Sequence, residues 1–172
     1  RIAVEHLIDC GKRKIAYIAG PESLRISNIR YKGYKEALQR HNLPINDDLL
    51  IYCDFNEKMG YDSCKSMIIK DLDFDGIFAV KDRTAAGAMT ALREFNIKVP
   101  EEVAVIGFND ESYDIFLEPA LSTIKQPAYE IGKEAAHIFL NERNADLENF
   151  DAQIRILNTE LLIRGSTVNS KT

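Results

Sequence analysis

The side chains of this sequence that could do chemistry gather just behind short apolar runs. Asp54 and Phe55 follow the run that ends at Cys53, Lys81 and Asp82 follow Val80, and Phe108, Asn109 and Asp110 follow Gly107. An aromatic ring beside carboxylate, amide and guanidinium groups suits a sugar or a nucleobase. The ring covers an apolar face, and the polar groups take the hydroxyls or ring nitrogens. Arg30, near the start of an expected helix, adds a forked set of donors. Each residue also has a plainer use: Asp82 can cap the helix it opens, Phe55 can cover core, Asn109 and Asp110 can shape a turn, and Lys81 can be solvated.

Reaction chemistry leaves fewer traces. No G-x-S-x-G, G-x-x-x-x-G-K-[ST] or G-x-G-x-x-G occurs, and the GPESLRIS segment from Gly20 lacks the further glycines that wrap a pyrophosphate. Asp73 with Asp75 sits in a polar turn, Glu101 with Glu102 precedes a strand, and no nucleophile has an evident base. His6, His41 and His137 lie far apart without metal-ligand spacing. Binding is therefore expected, with no catalytic residue, no cofactor and no metal.

The elements that must position these residues alternate between apolar runs and helical patterns, which predicts parallel strands joined by helical crossovers. Residues 2–10 read as a helix ended by Gly11, and residues 14–19 as a strand. A helix capped by Ser27 or Asn28, with Ile29, Gly33, Ala37 and Leu38 on its inner face, ends near His41. A strand over 49–53 leads to a helix capped by Asn56, and a strand over 76–80 to a helix opened by Asp82 and stopped by Asn96 and Pro100. Residues 103–108 form the next strand, and residues 121–126 are extended. Pro127 then begins a helix through Ile131, Ala135, Ala136 and Phe139, a polar connection runs over 142–151, and 154–163 is the closing apolar run. The polar tail beyond Gly165 is expected to fray. The expected fold class is α/β, a parallel sheet with helices on both faces, and ligands bind such sheets beyond the carboxyl ends of the strands.

Composition bounds the rest. The 172 residues carry 27 acidic and 22 basic side chains, net -5, with 45% hydrophobic and 28% charged residues, an ordinary globular balance that argues against binding nucleic-acid phosphate through the chain's own surface. No stretch is long and uncharged enough to span a membrane, and the charged start does not read as a signal peptide. Arg1 in place of Met points to a piece of a longer protein, and Cys10, Cys53 and Cys64 suit reduced thiols in a cytoplasm.

Six segments in series, A-x-x-H-L-I-x-x-G-x-x-x-I-A-Y-I-A-G-P (3–21), R-Y-K-G-Y-x-x-A-L (30–38), D-G-I-F-A-V-K-D-x-x-A-x-G-A (75–88), V-P-E-E-V-A-V-I-G-F-N-D (99–110), P-A-L-S-T-I-K-Q-P (119–127) and L-L-I-R-G-S-T (161–167), closely resemble the LacI/GalR family of bacterial transcriptional repressors. That resemblance implies a type I periplasmic-binding-protein-like core of two lobes, truncated here at its N-terminal side. An effector, most simply a sugar, binds between the lobes and modulates operator binding by a helix-turn-helix headpiece absent from this chain. It also implies a cytoplasmic homodimer, with no membrane and no enzymatic activity. The expected division is 1–20 as a remnant of the first lobe, 21–124 as the second lobe, 125–156 as a return to the first, 157–167 as a closing strand of the second, and 168–172 as tail.

Residue by residue, Arg30 matches the family's effector-contacting arginine and Phe55 its aromatic ring against the ligand. Asn109 stands where many members carry an aspartate that binds hydroxyls, and Lys81 with Asp82 replaces a common N-D pair. Ile26 and Ala128 depart from a polar and an aromatic position. Arg30, Phe55, Asn109, Asp82 and Asp110 are thus the expected effector-binding residues. A periplasmic sugar-binding transport protein is the alternative, and a flavodoxin-like enzyme a third reading. A missing lobe would leave a strand edge and apolar surface bare, lowering stability or driving self-association.

Overall fold

Side-chain alternation along the strands decides where the helices pack. In β1 (Ile15–Ala19), Ile15, Tyr17 and Ala19 join one apolar cluster and Ala16 and Ile18 another, and all five are buried. A strand buried on both faces needs cover on both, which is why its sequence is continuously apolar. β3 (Gly76–Ala79) and β4 (Ala104–Ile106) divide in the same way, with Phe78, Ala104 and Ile106 on the first side and Ile77, Ala79 and Val105 on the second. With β2 (Leu50–Tyr52) they form a parallel sheet in the order β2-β1-β3-β4. The computed structural model describes residues 1–142 and 154–168.

Helices α1 (Ile2–Asp9) and α2 (Arg25–Arg40) cover the first face, and α3 (Glu57–Ile69) and α4 (Asp82–Glu94) the second. Gly11, at φ +88, turns the chain out of α1, as its position predicts. Asn56 caps α3, its side chain accepting from the Met59 N–H at 2.9 Å. The core of the first face is a stack of rings, with Tyr17 centred 5.0 Å from Phe78 and 5.3 Å from Tyr34, whose hydroxyl donates to the Ile15 carbonyl at 2.8 Å.

That tyrosine also sets the phase of α2, which differs from the expected one. The helix starts at Arg25 without a side-chain cap, and Ser27, Tyr34, Ala37 and Leu38 are its buried residues, while Ile29 is 54% exposed. Asn28 instead donates to the Glu22 carbonyl in the preceding loop. Residues one helical turn apart share a face, so fixing Tyr34 inward brings Arg30 to the sheet side as well.

Residues 1–20, expected as a remnant of a first lobe, are integral to this sheet. β1 lies between β2 and β3, and Val4 and Leu7 of α1 are fully buried against it. β5 (Thr123–Lys125) continues from the end of β4, with the Gly107 N–H donating to the Ser122 carbonyl and the Asn109 N–H to the Ile124 carbonyl. It pairs antiparallel with β6 (Glu160–Leu162). α5 (Ala128–Glu142) stands away from the core: Tyr129, Ile131 and Phe139 are exposed. Most of the polar connection expected over 142–151 lies outside the described residues.

The tail is packed where fraying is expected. Ser166 and Thr167 are buried; the Ser166 hydroxyl donates to the Val105 carbonyl at 2.6 Å and accepts the Ser122 N–H at 2.8 Å, while Thr167 meets Ser122 and His6 through its own hydroxyl. Small hydroxyl side chains that look solvated in sequence here satisfy backbone groups along the outer edge of β4. Ser166→Ala strands those partners and should cost about 1–3 kcal/mol in urea unfolding. Ser112→Ala, at an exposed serine, should cost under about 0.5 kcal/mol. Equal effects would contradict the role given to Ser166.

Candidate ligand site at the carboxyl ends of the sheet

The carboxyl ends of four parallel strands present, across the sheet, the segments after Tyr52, Ala19, Ala79 and Ile106. The absence of a side chain at Gly20 lets Phe55 in: a Cβ there would meet the Phe55 ring at 2.1 Å, so the ring lies across the end of β1. The Lys81 ammonium sits 5.2 Å from the centre of that ring. On the other side of β3, the Arg30 guanidinium sits over the Phe108 ring, its carbon 3.7 Å from the ring centre, and donates through Nη1 to the Val80 carbonyl. Burial lowers the pKa of Arg30, and the charge of Asp82 opposes that shift.

Asn109 follows on the same edge. Its φ of 137° and the φ of 63° at Asp110 are unusual for residues with a Cβ, each costing about 1–3 kcal/mol, and they turn the chain sharply after β4. The Gln126 amide donates to Asn109 Oδ1 at 2.6 Å. Arg30, Phe55, Lys81 and Asn109 are each half-buried.

Asp82 and Asp110 point into a different environment. Asp82 is fully buried, accepting from the Thr123 hydroxyl at 2.6 Å and from the Glu111 N–H at 3.1 Å. It sits at the first turn of α4, where a carboxylate complements the helix dipole, and Lys81 occupies the cap position expected for it. Asp110 binds Arg164 Nη2 at 2.6 Å, with Lys125 Nζ at 4.0 Å. Arg164 also donates to the Leu121 carbonyl and lies 3.8 Å from Asp114. Thr123, Gln126 and Arg164 complete this arrangement, and none of them carries a role in the sequence reading. Arg164 stands inside a quoted motif, but its partners Leu121 and Asp110 lie 43 and 54 residues away in sequence, beyond the reach of local pattern.

Asp114 is buried with neither carboxylate oxygen hydrogen-bonded to a donor, facing Asp82. Burial first, and then the charge of Asp82, push Asp114 up to about 8; burial also raises Asp82. At neutral pH, therefore, the pair holds a proton. Two depressions flank these residues. One of about 190 Å³ lies beside Arg30, between Phe108, Phe78 and the start of α1. The larger, about 400 Å³, lies between α5 and residues 155–159 and meets the strand-end edge at Gln126, sharing Thr159 with the smaller one. The chemistry, rather than the volume, picks the strand ends as the candidate site. Among the described residues no group of acidic, histidine and cysteine side chains could hold a metal, and no helix is long and apolar enough to cross a membrane.

Because the folded pKa of Asp114 lies above its ordinary 3.8, its contribution to stability is full below that value and is lost as pH rises through about 8. The urea midpoint should therefore fall between about pH 6 and about pH 9, and Asp114→Asn should shrink that fall. An identical pH dependence in the variant would contradict the carboxyl pair.

Residues 4–167 match the family described as a periplasmic binding protein-like domain. The HTH-type transcriptional repressor CytR of Escherichia coli (strain K12) is 32% identical over 165 residues, covering 96% of this chain and 48% of that protein. Among solved structures, a putative transcriptional regulator of LacI family from Sanguibacter keddieii superposes with a TM-score of 0.89 at 26% identity, over 96% of this chain and 64% of the other. A complex of the transcriptional regulator CelR with cellobiose superposes with a TM-score of 0.89 at 31% identity, over 95% and 50%. The chain spans about half the length of the curated relatives it matches. A four-stranded parallel sheet covered on both faces, polar and aromatic groups at its carboxyl ends, and these matches over nearly the whole chain agree: the chain belongs to the periplasmic-binding-protein-like domain family and has LacI-type transcriptional regulators among its homologues.

Proposed function

We propose that this chain is part of the effector-sensing domain of a LacI-type regulator and binds a small polar metabolite of the sugar class at the carboxyl ends of its sheet. The observation that carries the reading is the placement of Arg30. Its guanidinium is held by the Phe108 ring and the Val80 carbonyl, which leaves most of its five N–H donors for a ligand on the edge where Phe55 and Asn109 also stand. The Phe55 ring covers an apolar sugar face, and the Asn109 amide takes a hydroxyl. Asp82 and Asp110 act from beneath, holding the loops that carry Lys81 and Asn109. The backbone strain at Asn109 and Asp110 fits a site shaped for a partner. The cellobiose complex of CelR supports a sugar as the ligand class.

In this reading the effector shifts the relative population of two lobe arrangements, with a coupling of about 1–3 kcal/mol, and a helix-turn-helix headpiece outside this chain reads the shift on operator DNA. The regulator works as a cytoplasmic homodimer and catalyses no reaction. Residues 125–156 belong to the first lobe, whose remainder would cover Tyr129, Phe139, Ile154 and Ile156, all now exposed; 157–167 return to the second, and 168–172 are tail. The relatives being regulators favours this over a transport protein.

Ligand-observed saturation-transfer NMR of the protein with neutral mono- and disaccharides tests the site and reads weak binding. Loss of charge-assisted hydrogen bonds, each worth about 1.5–3 kcal/mol, predicts that Arg30→Ala weakens the bound sugar by about tenfold or more. Sugar binding indifferent to Arg30, or no binding of any polar metabolite, would contradict the reading.

A further inference from the structure

Two cations stand at the end of β3 in the proposed site, Arg30 toward Phe108 and Lys81 toward Phe55, and among the described residues neither forms an ion pair. Arg30, reaching in from α2, donates to the carbonyl of Val80, the residue directly before Lys81, so its guanidinium and the Lys81 backbone meet at the end of β3. Each lies against a ring, Arg30 on Phe108 and Lys81 at Phe55, and each is half-buried. Among the described residues neither has a carboxylate within 4.0 Å, and unlike exposed cations such as Arg25 and Lys70, which also form no ion pair, both are half-buried against rings. The carboxylates that could balance them are otherwise engaged. Asp82 is committed to Thr123 and the Glu111 N–H and faces Asp114, and Asp110 is committed to Arg164. Asp54, next to Phe55 in the chain, is exposed and forms no ion pair with either cation.

Asn109 adds to this asymmetry, for an amide at that position supplies donors as well as an acceptor and carries no charge that would repel an anion. Half-buried cations lose hydration, and for Arg30 the through-space charge of Asp82 offsets that loss only in part, so an anionic ligand group gains more here than on an open lysine. From this unbalanced pair we infer that the ligand is an anionic sugar, a sugar phosphate or a sugar acid. Lys81 selects its charge while Arg30 binds both charge and hydroxyls. This inference rests on the sugar-site reading above and narrows it.

The test compares glucose with glucose 6-phosphate and with glucuronate, and includes inorganic phosphate alone, each titrated into the protein and its variants at low and at moderate salt. The expected result is that at least one anionic sugar binds about tenfold or more tighter than glucose, with a preference that shrinks as salt rises. In Lys81→Gln the preference should fall to near unity, and Lys81→Arg should retain it. Lys58→Gln, which removes an exposed lysine on α3, should leave it unchanged. Glucose binding as tightly as both anionic sugars, or a preference that survives Lys81→Gln, would overturn the inference while leaving the sugar site intact. Binding of inorganic phosphate as tight as that of glucose 6-phosphate would overturn it in favour of a bare anion site. No binding by any compound would overturn the sugar-site reading and the inference with it.

Discussion

The carboxylate of Asp82 has no exposure to solvent, and the ends of three elements meet on it. It opens α4, its backbone N–H donates to the Phe108 carbonyl after β4, and its side chain takes a hydroxyl from Thr123 of β5 and an N–H from Glu111 in the turn between. A buried carboxylate is tolerated only where such donors replace water. Gly107 allows the approach, since a Cβ there would sit 2.1 Å from an Asp82 oxygen. Everything proposed for the strand ends depends on this joint. Without it neither Lys81 nor Asn109 would have a fixed place beside Arg30.

The same joint places the candidate site next to the route by which the chain leaves the sheet. Asn109 is bonded to Gln126, the last residue before Pro127 and α5, so a ligand that engages the Asn109 amide competes with a contact at the base of α5. Arg164 closes the other side, holding Asp110 and the Leu121 carbonyl just before Ser166 and Thr167 settle against β4 and α1. Binding and the path into the exposed helix thus share side chains, the physical continuity that a population shift needs.

Much of the architecture is legible in the sequence because it rests on local pattern. The apolar runs, the Asn56 cap, the Gly11 turn and the alternation of strand and helix all follow from residues within a turn or two of each other. The phase of α2 is not legible, because it depends on Tyr34 reaching the Ile15 carbonyl across the sheet. Nor is the packing of Ser166 and Thr167: polarity suggests solvent, and only Val105 of β4 and Ser122, both distant in sequence, explain their burial. The strand-end rule gathers Phe55, Lys81 and Asn109 onto one edge, but it cannot separate them from Asp82 and Asp110, whose partners Thr123 and Arg164 lie far along the chain. The placement of residues 1–20 is of the same kind, since only strand pairing reveals that β1 is central.

The central claim is that the carboxyl ends of this sheet form the ligand site. Mapping backbone amide shifts by NMR while a bound sugar or sugar phosphate is titrated tests it most directly. The account predicts that the largest changes cluster at residues 30, 55, 81 and 109, with smaller ones at Gln126. Changes centred instead on the depression between α5 and residues 155–159, or spread evenly over the surface, would contradict it.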